Sequence, residues 1–154
     1  MMKLAADVIQ ALSGKTLVTA ESLTGGGIGH VLTSISGSSA VYKGGVISYT
    51  NWVKENILGV PGGLLEEYGA VSAPVARGMA QGAHRLLNAD IAVSVTGLAG
   101  PGGDEYGNPV GTVFIGYADE NRVEVRRFHF SGSREEVRLQ TVEAALHLVL
   151  EYNQ

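Results

Sequence analysis

The sequence contains no cysteine. Disulfides, thiol catalysis and cysteine-based zinc sites are therefore excluded together. It has no apolar run near the roughly 18 residues that a membrane-spanning helix needs. The opening Met1-Met2-Lys3-Leu4 does not lead into a signal-peptide core, because Asp7 and Gln10 interrupt it. The cytoplasm is the expected compartment, with no membrane partner. Positive charge is also short: 11 Lys and Arg stand against 15 Asp and Glu, a net charge of −4. Such a balance argues against nucleic-acid binding as the main activity. Lysine is scarce, occurring only at Lys3, Lys15, Lys43 and Lys54. No repeat and no low-complexity linker divides the 154 residues, so residues 1–154 are expected to form one domain.

What is abundant is glycine, at 22 residues, about twice average usage. Hydrophobic residues at 45% exclude intrinsic disorder. Apolar spacing predicts helices over residues 2–12, 26–34, 50–58, 64–68 and 72–87, and a last one opening at Ser133-Arg134-Glu135-Glu136, a capping box. Pro74 suits the first turn of the helix that follows Ser72. Strands are expected over 16–20, 41–49, 91–95, 110–117 and 123–130, the last two joined as an antiparallel hairpin. Gly44-Gly45 should mark a bulge or a close backbone approach. Helices interleaved with buried strands, plus one hairpin, imply an α/β fold: a three-layer α/β/α sandwich around a mixed, mostly parallel five-stranded sheet.

The densest chemical signal is Thr19-Ala20-Glu21-Ser22-Leu23-Thr24-Gly25-Gly26-Gly27. A strand ends, a serine follows, and a glycine-rich turn enters a helix. Exposed N–H groups there can bind an anion or stabilise an oxyanion beside a serine nucleophile. The same turn equally suits Ser22 or Thr24 as an N-cap. It is neither a P-loop, for no Gly-Lys-Ser/Thr follows, nor a Gly-x-Ser-x-Gly elbow, since Ala20 and Thr24 flank Ser22. His30, His84, His129 and His147 lack metal-ligand spacing and lie outside glycine-rich loops, so no metal and no cofactor is expected and none of them stands out as a base for Ser22.

Lys54 follows Tyr49 and Asn51 at a predicted strand-to-helix junction, on the sheet edge where the Ser22 turn should also lie. Desolvated there it could act as a base; on a helix surface it would merely be solvated. Gly97-Leu98-Ala99-Gly100-Pro101 opens another glycine-rich loop after a strand, suited to close approach of a ligand or to simple mobility. Arg134 and Arg138 stand four apart on the last helix, as an anion clamp or as partners of Glu135 and Glu136.

Together, Thr19–Gly26, Gly37–Ala40, Gly45–Lys54, Gly69–Pro74, Ser94–Pro101, Pro109–Thr112 and Phe130–Gln140 resemble the CinA C-terminal-domain family, the nicotinamide mononucleotide amidases. The strings Ala-Glu-Ser-x-Thr-Gly-Gly and Thr-Gly-x-Ala-Gly-Pro carry most of the specificity. The resemblance implies the same three-layer fold and hydrolysis of the carboxamide of nicotinamide mononucleotide to nicotinate mononucleotide and ammonia. It implies Ser22 as nucleophile, Lys54 as base and Tyr49 as the tyrosine that helps orient them, and a homo-oligomer. Backbone groups at Thr24, Gly25 and Gly26 are expected to hold the oxyanion, and Gly97, Gly100, Arg134 and Arg138 the rest of the nucleotide. Longer members carry an N-terminal molybdopterin-binding-like domain with a pyrophosphatase activity, which is not expected of a sequence opening at the amidase domain. Two other readings stay open: a nucleotide-binding regulatory module without turnover, and a serine amidase for another small amide.

Overall fold

A computed structural model describes residues 1–154. In chain order the elements are α1 (Met2–Ala11), β1 (Leu17–Glu21), α2 (Gly27–Thr33), β2 (Tyr42–Ile47), α3 (Asn51–Asn56), α4 (Gly62–Tyr68), α5 (Ala73–Leu86), β3 (Ile91–Gly97), β4 (Thr112–Ala118), β5 (Val123–His129) and α6 (Arg134–Tyr152). The expected elements are present, most with ends trimmed by one or two residues, while α4 and β3 run two residues longer than expected and β1 and β4 start and end later. The strands form one sheet in the order β2-β1-β3-β4-β5. β1 runs parallel to both β2 and β3, while β4 is antiparallel to its two neighbours. Four of the five strands thus point one way, as a mixed sheet with one reversed member.

Alternation along the strands builds two cores. Leu17 of β1, Ile91, Val93 and Val95 of β3 and Val113, Ile115 and Tyr117 of β4 face α1, α2 and α6. Val18 and Ala20 of β1, Ala92 of β3 and Ala118 of β4 face α5 and the Leu58–Leu65 region. β1 and β3 are buried almost throughout, in keeping with their central places in the sheet. The small residues on the second face admit α5 closely: Ser94 donates to the carbonyl of Ala76 at 2.7 Å, and a Cβ on Gly116 would lie 2.6 Å from that same oxygen.

Both readings of Gly44-Gly45 hold. The β1–β2 register slips there, Leu17 facing Tyr42 and Val18 facing Gly44. A Cβ on Gly45 would collide with the hydroxyl of Thr19. The capping box of α6 also forms, with Glu136 N–H donating to Ser133 Oγ at 3.2 Å and Ser133 N–H to Glu136 Oε1 at 2.9 Å. Ser72 differs in one respect. It precedes α5 in extended geometry, but its hydroxyl donates to the carbonyl of Gly69 instead of capping the helix. No helix is long and apolar enough to cross a membrane.

Candidate active site

β1, β2 and β3 are parallel, so their C-terminal ends share one edge of the sheet. The turn after β1 supplies Ser22, and the segment after β2 supplies α3. Thr50 caps α3, its hydroxyl accepting from Val53 N–H, and Lys54 follows one turn later. Behind α3, the carbonyl of Leu58 approaches α5 so closely that a side chain on Gly82 would overlap it. The segment that follows α3 thus lies tight on α5, and Lys54 is buried.

The result is a buried serine–lysine pair. Lys54 Nζ lies 2.9 Å from Ser22 Oγ. It also donates to the carbonyls of Ser48 at 2.6 Å and Tyr49 at 3.4 Å. Lys54 is 1% exposed and Ser22 6%. No carboxylate pairs with the lysine. Burial without a counter-charge disfavours an ammonium, and it lowers the Lys54 pKa from its ordinary 10.5 to about 8. The two carbonyls take two of the three tetrahedral positions around Nζ, which leaves the third for Ser22. In the neutral amine that third position is a lone pair.

Tyr49 enters this arrangement through its main chain. Its hydroxyl lies elsewhere, accepting from Arg134 Nη2 at 3.2 Å, and the residue is 60% exposed. Arg134 Nη1 also donates to the carbonyl of Gly100 at 2.6 Å. The guanidinium therefore ties the β3–β4 loop to the start of α3 across a cavity of about 160 Å³. Leu23, Tyr49, Gly97, Gly100 and Arg134 are among its walls. Gly97 packs where a Cβ would press on Val113 and the Thr112 carbonyl, and Gly100 has φ +106°. Arg138 does not join this wall. Its Nε donates to the carbonyl of Leu23 at 2.9 Å.

The turn after Ser22 is held by a residue whose role the sequence reading missed. Glu21 is 2% exposed, without a cationic partner. Its carboxylate accepts from Thr24 Oγ1 at 2.6 Å, Ile28 N–H at 2.9 Å and Gly29 N–H at 3.1 Å. The signal was available: a carboxylate ending an otherwise apolar buried strand must find donors nearby. Within the turn, Gly25 N–H donates to Ser22 O and Gly27 N–H to Thr24 O, and the backbone runs through φ +57° at Gly25 and +103° at Gly26. The N–H groups of Leu23, Thr24 and Gly26 donate to no group in the chain. The histidines stay outside this site: His84 and His129 meet the carbonyls of Asp90 and Val110.

The sequence profile of the CinA C-terminal domain matches residues 1–153. The chain belongs to the CinA C-terminal domain family. A CinA-like protein from Geotalea daltonii is 51% identical over 135 residues, which are 88% of this chain and 33% of that protein. The chain thus spans about a third of the length of such curated relatives. Among solved structures, a competence damage-inducible protein from Klebsiella pneumoniae superposes with a TM-score of 0.95 at 37% identity, covering 97% of this chain and 94% of the other. A competence/damage-inducible protein from Agrobacterium tumefaciens gives 0.95 at 41% identity, covering 99% and 95%.

Proposed function

We propose that this CinA-family domain is an amidohydrolase that converts nicotinamide mononucleotide to nicotinate mononucleotide and ammonia through an acyl-enzyme on Ser22. The observation that carries the reading is the 2.9 Å contact between Ser22 Oγ and a buried, uncompensated Lys54 Nζ.

A serine hydroxyl attacks an amide only when a base takes its proton. With a pKa of about 8, roughly a tenth of Lys54 is neutral at pH 7. The amine takes the Ser22 proton as Oγ bonds to the carboxamide carbon, and the carbonyl oxygen becomes an oxyanion. Free N–H groups at Thr24 and Gly26 are the donors proposed for it, each worth about 3–4 kcal/mol if well aimed. Gly25 serves through its turn geometry, because its own N–H is already given to Ser22 O. As the carbon–nitrogen bond breaks, Lys54 returns the proton to the departing nitrogen and ammonia leaves. Water then attacks the nicotinoyl ester, gives one proton to Lys54, and Ser22 recovers it as the ester bond breaks.

The pyridine carboxamide is assigned to the cavity between Leu23 and Gly97, where the glycines give close backbone access. The 5′-phosphate is assigned to Arg134, which forms no ion pair and spends its donors on two neutral oxygens. Tyr49 holds Lys54 by its carbonyl and Arg134 by its hydroxyl, an orienting role at both ends. The homo-oligomer implied by the family resemblance belongs to the proposal and is checked by sedimentation velocity.

The purified chain is expected to release ammonia from nicotinamide mononucleotide, and Ser22→Ala to stop it. Ammonia release by Ser22→Ala at the wild-type rate removes Ser22 from the mechanism. Tight nucleotide binding by the wild type with no ammonia makes the domain a binding module instead.

A further inference from the structure

The peptide between Leu23 and Thr24 is not held by the turn that contains it. The turn's own hydrogen bonds use the carbonyls of Ser22 and Thr24. The Leu23 carbonyl accepts from Arg138 Nε, on a helix 115 positions further along the chain. Arg138 is half-buried there and forms no ion pair. One guanidinium nitrogen would stand 3.6 Å from a Cβ placed on Gly25, so the side chain lies along the turn.

A trans peptide is planar, and its C=O and N–H point in opposite directions. Drawing the Leu23 carbonyl toward α6 therefore directs the Thr24 N–H away from α6. That N–H has no acceptor in the chain. The Thr24 side chain is pinned independently, by its 2.6 Å bond to buried Glu21. A residue fixed through both its preceding peptide and its hydroxyl keeps its N–H in one direction, as a preorganised donor requires.

We infer that Arg138 is a positioning residue for the nucleophile turn: it sets the plane of the Leu23–Thr24 peptide so that the Thr24 N–H stands ready for the oxyanion formed at Ser22, and it does not clamp the substrate phosphate. The inference rests on the amidase reading. It separates the two arginines that share a helix face. Arg134 spans the cavity mouth, and Arg138 works behind the turn.

The test uses Arg138→Met and Arg138→Gln with two substrates, nicotinamide mononucleotide and its nucleoside lacking the 5′-phosphate. Positioning lowers kcat about 10- to 100-fold by the same factor on both substrates. KM should change less than about twofold, and the pH midpoint set by Lys54 should stay where it is in the wild type. Added guanidinium should restore part of the rate of Arg138→Ala. A rise in KM confined to the phosphorylated substrate overturns the inference, as does unaltered kcat. A second readout does not need turnover. The Thr24 amide resonance in a 1H–15N NMR spectrum should move in Arg138→Met or Arg138→Gln, while resonances of β3 and β4 stay in place. An unmoved Thr24 amide overturns the claim about the peptide. Absence of ammonia from the wild type overturns the amidase reading instead, and the NMR result still decides the peptide's orientation.

Discussion

Two glycine-rich segments leave the same edge of the sheet, one after β1 and one after β3, and they are held by opposite means. The turn Ser22–Gly27 is braced from inside: a buried carboxylate from Glu21 gathers one hydroxyl and two N–H groups. The loop from Gly97 to Pro109 has no fully buried carboxylate and is braced by half-buried and exposed side chains. Exposed Tyr106 donates to the carbonyl of Glu66, Asn108 Nδ2 donates to that of Val71, and Asp104 accepts from Tyr106 N–H and from Asn108. Arg134 touches the second segment only through the carbonyl of Gly100. Glycine content alone does not separate a rigid turn from an adaptable one. What separates them is whether a charge is buried to collect the donors. The segment bearing Ser22 is the one held from within, and the segment lining the cavity beside it is held by its own side chains.

Substitutions should reproduce that contrast in graded form. On the proposed mechanism Ser22→Ala removes the nucleophile and should cost on the order of 10⁴-fold or more in kcat, seen in ammonia release, with nucleotide binding by calorimetry retained. Lys54→Met should cost about 10²–10⁴-fold. In the wild type, kcat/KM should fall about tenfold per pH unit below the Lys54 pKa of about 8 and level off above it. A flat profile between pH 6 and 9 would reject Lys54 as base. Stability follows the same group. Its folded pKa lies below its ordinary 10.5, so the penalty for the buried ammonium is full below about pH 8. It is relieved as pH rises toward 10.5. The Tm difference between wild type and Lys54→Met should therefore move in favour of the wild type over that window.

Glu21→Gln should come next. Three donors would face one carbonyl oxygen and an NH2 group, so a buried N–H loses its acceptor at about 1–3 kcal/mol. Activity should drop about 10- to 100-fold as the turn relaxes, read by Tm and kcat together. Gly26→Ala and Gly100→Ala sharpen the comparison further. Both residues have φ above +100°, and each change should cost about 1–2 kcal/mol in strain. Only Gly26→Ala should lower kcat by an order of magnitude, because its segment cannot yield without moving Ser22. Equal kcat losses would show that the β3–β4 loop is as rigid as the turn. Asp104→Ala should have the smallest effect on activity, with kcat unchanged within about twofold and a loss of about 1 kcal/mol by thermal unfolding, as its half-buried bonds stay within the loop.

The architecture was legible because apolar spacing and glycine punctuation are local signals. The capping box at Ser133 falls where pattern alone placed it, Leu17–Glu21 lies one residue beyond its expected place, and Ile91–Gly97 runs two residues past its expected end. The serine–lysine pair was half legible. Parallel strands end on one edge, which puts Ser22 and Lys54 in the same neighbourhood, but that the lysine turns inward depends on the carbonyls of Ser48 and Tyr49 that receive it, which no sequence pattern announces. Tyr49 shows the limit from the other side: the family resemblance implied a tyrosine that orients the pair, whereas its carbonyl contacts Lys54 and its hydroxyl turns to Arg134. The split between Arg134 and Arg138 could not be read from a four-residue interval, because their partners come from segments 34 and 115 positions away.

That long reach has a bearing on local fluctuations. Arg138 sits between Val137 and Val142, both buried in the core, so its hold on the Leu23 carbonyl lasts only while the first turns of α6 stay packed. Fraying at the start of α6 would loosen a turn more than a hundred positions away while the sheet beneath it stays closed. Amide exchange in the Ser22–Gly27 turn is therefore expected to follow exchange in α6.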